Sequence, residues 1–164
     1  MDSHYYTGGP APSRLFATAL LSKALLSTAM LSMTLLASAA LAADGHDLTF
    51  QGDASFGGPH GGQAIQAALV DTDSGEVLAV ESGTVSADGA PAFSFSFPGA
   101  LKAGGRYAVD YWIDSNFGGG TAGTCDGMQH DHQWHIPILA GEMATTHVER
   151  HDPSAQSAVC ASFE

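Results

Sequence analysis

The sequence predicts an all-β fold, a two-layer antiparallel β-sandwich, and two observations carry that prediction. Past residue 42 apolar and polar residues alternate with period two, and clusters of Gly, Pro, Asp and Ser break the alternation roughly every 8 to 12 residues. Nothing in that region repeats with the 3.6-residue period of an amphipathic helix.

The first element is not part of the sandwich. Arg14 and Lys23 are the only early basic residues, and the run ALLSTAMLSMTLLASAALA follows them, ending in Ala40-Leu41-Ala42. A positive start, an apolar stretch and a small-x-small ending form the pattern of a secretory signal cleaved after Ala42. The alternative is retention as a membrane anchor, since about 18 apolar residues suffice to cross a bilayer. The Ala- and Ser-rich composition and the lack of a charged stop-transfer flank favour cleavage. The expected division is therefore a signal at 1–42 and a β-sandwich domain at 43–164, exported to a periplasmic or extracellular location without stable membrane insertion.

The strands follow in order. Leu48 and Phe50 open the alternation; Ile65, Ala67 and Leu69 repeat it; Val77, Ala79 and Val85 continue it; then Phe93, Phe95 and Phe97 alternate with Ser94 and Ser96. The phenylalanines are expected to face the core. Asp71-Thr72-Asp73-Ser74-Gly75 reads as a hairpin turn, because Asp and Ser bond nearby backbone and Gly accepts positive φ. After a Pro-Gly break and a Gly-Gly turn, Tyr107, Val109, Tyr111 and Ile113 share one strand face, and Asp110, Trp112 and Asp114 share the other. His132 to Leu139 is a strand interrupted by Pro137, which suits an edge. Met143 to Glu149 supplies the last. The loop SFGGPHGGQ is read as a mobile connection whose single imidazole, His60, can approach a neighbouring strand end.

The stretch PGALKAGGRYAVDYWIDSN, within residues 98–126, resembles the corner before a late strand in small exported immunoglobulin-like and transthyretin-like sandwiches. The resemblance implies that Tyr107 pins the corner by bonding backbone. The continuation Asp114-Ser115-Asn116 and the glycines up to Asp126 are similar to a D-x-N-x-G…D loop, which implies a calcium site. The insertion from Phe117 to Thr124 departs from the usual spacing.

Charge excludes whole classes of partner. The chain has 17 carboxylates and five Lys or Arg; all the acids but Asp2 lie past Ala42, where the only basic side chains are Lys102, Arg106 and Arg150. Such a surface repels phosphate backbones and anionic lipids and concentrates cations, so no nucleic-acid partner is expected. Cys125 and Cys160 are expected to form a disulfide, as exported pairs do.

The densest chemical cluster runs from Cys125 to His135 and contains His130, His132 and His135, with Asp114 and Asn116 before it. Imidazole and carboxylate bind Cu, Zn or Fe. On a strand His130 and His132 face one way and His135 the other, so further ligands must come from His60, Asp110, Asp114, His147 or Asp126. The same histidines are explained without an ion if His132 or His135 bonds Asp110 or Asp114 across strands. The expected cofactor is a divalent or Cu(I) ion, with Ca2+ through Asp114, Asn116 and Asp126 as the weaker alternative. No G-x-S-x-G, H-E-x-x-H, P-loop or C-x-x-C pattern is present, so metal binding, storage or delivery is expected rather than catalysis. The alternative function is a structural or interaction module, in which Trp112 and the end loops dock a protein or glycan.

Overall fold

The computed structural model describes residues 45–164; the predicted signal and its cleavage site lie outside the described residues. Among the described residues seven strands form two sheets: β1 (His46–Gly52), β2 (Ala64–Asp71), β3 (Glu76–Thr84), β4 (Phe93–Leu101), β5 (Arg106–Ile113), β6 (His132–Leu139) and β7 (Thr145–Glu149). One sheet has the order β4-β1-β7 and the other β3-β2-β5-β6. The predicted all-β sandwich is the observed architecture, with one pairing outside the antiparallel pattern. β7 lies parallel to β1, with Leu48 opposite Thr145 and Phe50 opposite His147.

Period two explains the interior. Leu48 and Phe50 face inward with Phe93, Phe95 and Phe97, which β1 and β4 bring together in register, and all five are buried. From the opposite sheet Ile65, Ala67 and Leu69 meet Tyr107, Val109, Tyr111, Ile113 and Trp134. Each large side chain fully removed from water contributes roughly 1.5 to 3 kcal/mol. The Tyr107 hydroxyl accepts a hydrogen bond from the Lys102 backbone N–H at 2.9 Å, pinning the turn before β5.

β5 is buried on both faces, which alternation alone does not reveal. Its outward residues Asp110 and Trp112 lie under a C-terminal 3-10 turn, Cys160–Phe163. Ser162 Oγ donates to Asp110 Oδ2 at 2.5 Å, and the Phe163 ring stands 6.2 Å from that of Trp112. The expectation that Trp112 contributes to a docking patch is therefore corrected: it is 2% exposed. The C-terminal segment reaches this position along β6, where Ser157 N donates to Gln133 O and Val159 N to Gln133 Oε1. Cys125 and Cys160 form the expected disulfide, with Cα atoms 5.4 Å apart. Closing a loop of 35 residues stabilises the fold by roughly 3 to 4 kcal/mol on the chain-entropy account.

Candidate metal centre

Three histidines from distant parts of the chain meet at one end of the sandwich. His60 ends the single helical turn α1 (Gly57–His60), His132 opens β6, and His151 lies two residues past β7. The glycine-rich loop read as a mobile connection packs closely instead. A Cβ on Gly57 would come within 2.5 Å of Ala87 O, and one on Gly61 within 2.7 Å of Ala87 Cβ. Side chains at those positions would hold the turn away from the loop between β3 and β4. With glycine there, the turn settles onto Ala87 of that loop, and His60 is buried to 1% exposure.

Each histidine is positioned separately. His60 Nδ1 donates to Gln63 Oε1 at 2.7 Å, which leaves the Nε2 lone pair facing inward. Ser115 Oγ donates to the same Gln63 oxygen at 3.3 Å. His132 follows Asp131, a fully buried carboxylate that accepts from the backbone N–H groups of Ser115, Asn116 and Asp126. Those three bonds fix where the 114–131 loop enters β6. His151 is held by its backbone N–H, which donates to Ser55 Oγ at 3.0 Å, while the next carbonyl, of Asp152, accepts from Trp134 Nε1 at 2.9 Å.

The result is a convergence of nitrogens. His60 Nε2 lies 3.1 Å from His132 Nδ1 and 3.2 Å from His151 Nε2. The three ligand atoms lie within 4.8 Å of one another, the one such group of three or more His, Cys, Asp or Glu side chains among the described residues. Burial holds all three below the usual histidine range, His60 most strongly, to about 4, despite the opposing hydrogen bond to Gln63. Mutual repulsion adds to the effect at His60 and His132. The imidazoles are thus neutral near pH 7, the form that ligates metals.

The other residues singled out by the sequence lie elsewhere or have partners. His130 Nδ1 donates to Phe117 O at 2.7 Å. His135 Nδ1 donates to Asp110 Oδ1 at 2.6 Å, the cross-strand pair weighed above as the explanation without an ion. His147 stacks on Phe50 and donates to Glu149 Oε2 at 2.9 Å. Asp114 accepts from Gly123 N and from Asn116 Nδ2, and Asp126 Oδ2 accepts from Thr121 N, so these residues shape the loop. Of the sequence candidates, His60 and His132 come together. His151 was not among them, although it continues the inward parity of Thr145, His147 and Glu149 along β7.

Three neutral imidazoles with converging ring nitrogens define a potential tris-histidine metal site, at an end of the sandwich that carries no carboxylate among the converging atoms. No family model matches the chain, and no curated protein matches it. The geometry therefore carries the functional reading.

Proposed function

We propose that the protein is an exported metal-binding domain that holds Cu, Zn or Fe through His60, His132 and His151, for binding, storage or delivery. One observation carries this reading: His60 Nε2 faces two further imidazole nitrogens at 3.1 and 3.2 Å with no carboxylate in the group. Ring nitrogens that face one another at these distances share a proton or a cation, and burial disfavours the added proton of an imidazolium. The acidic chain raises the cation concentration around it. Export is supported by the N-terminal segment and by the disulfide; among the described residues no helix is long and apolar enough to cross a membrane.

A second reading, an interaction module, draws on β3. Its outer edge has no partner strand among the described residues, and Val77, Leu78 and Val80 are each more than a third exposed there.

The deciding experiment is metal analysis and calorimetric titration of the purified protein with Cu, Zn, Fe and Ca ions, beside a His60→Ala, His132→Ala double variant. Uptake of one equivalent that the double variant loses supports the site. No uptake, or uptake unchanged in the variant, removes it and leaves the interaction module in front.

A further inference from the structure

The three imidazoles are unequally buried. His60 is removed from water and backed by the buried rings of Phe56 and Trp134, whose centroids stand 6.4 and 6.2 Å from its own. His132 and His151 are partly exposed, and Phe117, whose ring stands 4.9 Å from that of His132, is 48% exposed. An ion where the three nitrogens converge is therefore closed off behind His60 and turned toward solvent along the rim formed by His132, His151 and Phe117.

The oxygens nearest the group are held by other partners. Asp131 Oδ1 accepts from the backbone N–H groups of Ser115 and Asn116 at 3.0 and 3.1 Å, and its Oδ2 from that of Asp126 at 2.9 Å. Asp152 Oδ1 accepts from Ser154 N and Oγ at 2.9 and 2.6 Å. Gln63 Oε1 is shared by His60 Nδ1 and Ser115 Oγ. The two carboxylates still act through space: each opposes the effect of burial on the histidine beside it, and so attracts a cation without entering its shell. Among the described residues no Asp, Glu or Cys joins the three histidines. A closed structural zinc site takes all four ligands from the protein, whereas a site of three protein ligands keeps its fourth position for water or an incoming molecule. Three donors on one side and solvent on the other match the second kind.

Resting on the metal-binding reading above, we propose that the ion held by His60, His132 and His151 keeps one coordination position open, on the rim side away from His60, and takes there a water or a small monodentate anion. The site then serves ligand exchange at the ion rather than structural clamping. The anion donates a lone pair as the water leaves with its own, the three imidazoles stay bound, and no electron is transferred.

The test uses the purified, disulfide-intact protein loaded with one equivalent of Co(II), whose visible spectrum reports its coordination shell, and titrated with azide in chloride-free buffer. X-ray absorption of the Zn(II)-loaded protein counts the imidazoles independently. Azide is expected to shift the Co(II) bands with one-site saturation, and the zinc shell to hold three imidazoles and one further light-atom donor. The shift is expected to persist in His135→Ala, whose imidazole pairs with Asp110 outside the group, and to be lost with the metal in the His60→Ala, His132→Ala double variant. Co(II) bands unmoved by azide, or a shell of four imidazoles, overturn the open position while the metal-binding reading stands. An azide shift that survives in the double variant places the responding ion elsewhere and overturns the open position too. No uptake of Co(II) or Zn(II) overturns both.

Discussion

His132 and His135 stand three residues apart on β6 and have opposite environments. His135 projects outward, is exposed, and donates to Asp110, whose second oxygen is held by Ser162. Its hydrogen-bonding capacity toward the protein is met by a carboxylate. His132 lies at the sandwich end with its Nδ1 facing His60, whose Nε2 also faces His151. In one pair a carboxylate answers the imidazole; in the other group ring nitrogens face only ring nitrogens, the arrangement in which a metal ion can take the place of a shared proton. An imidazole in a metal-binding group is thus marked less by its own burial than by what its free nitrogen faces.

The largest expected effect separates these two histidines. His151→Ala removes one of three ligands and is expected to weaken metal binding by more than about a hundredfold, beyond what loss of an outer partner causes. His135→Ala is expected to leave metal affinity within about twofold and to cost about 1 kcal/mol of stability through its hydrogen bond to Asp110. Parallel titrations and denaturation curves of the two variants check this, and equal losses of metal from both would erase the distinction.

Acid sharpens the comparison at the level of stability. The His60 imidazole titrates near 4 when folded and near 6.5 when unfolded, so between those values the unfolded chain binds the extra proton. The stability from keeping His60 neutral is fully present above about pH 6.5 and is lost as pH falls toward 4. Its size is about 3 kcal/mol, with His132 and His151 adding in the same direction. Urea denaturation of the metal-free protein across that range is expected to show the decline, and His60→Gln to flatten it. A decline unchanged in that variant would assign it to other groups.

Gln63 gives a smaller effect. By accepting from His60 Nδ1 it fixes which nitrogen is free for the ion. Gln63→Ala is expected to lower affinity about 10- to 100-fold, whereas Gln63→Glu, which keeps the acceptor, is expected to retain binding. Affinity unchanged in Gln63→Ala would show that Ser115 or packing sets the ring instead.

The sandwich was legible because period two is a local property: the inward parity of Phe93, Phe95 and Phe97, or of Tyr107 to Ile113, is written in consecutive residues. The burial of Trp112 was not, since it depends on a turn some fifty residues later folding back over β5. The site was half legible. The density of histidines after Cys125 drew attention to His132, and the isolated imidazole of the glycine loop to His60. His151 has no histidine within three residues and reaches the group only because β7 pairs parallel to β1 and its tail is tied to Ser55 and Trp134. Asp131 was passed over for a related reason: its role is to accept three backbone N–H groups, which no side-chain pattern advertises.

His60 and His132 are 72 residues apart, and His60 and His151 are 91 apart. A group assembled over such spans has no counterpart in the unfolded chain, where bringing three rings together would cost the closure of two long loops. An ion bound there recognises the finished fold and stabilises it by mass action, so melting temperature should rise with free metal concentration. A chain threaded unfolded across a membrane would carry no ion in such a site, and would acquire its metal from the compartment in which it completes folding.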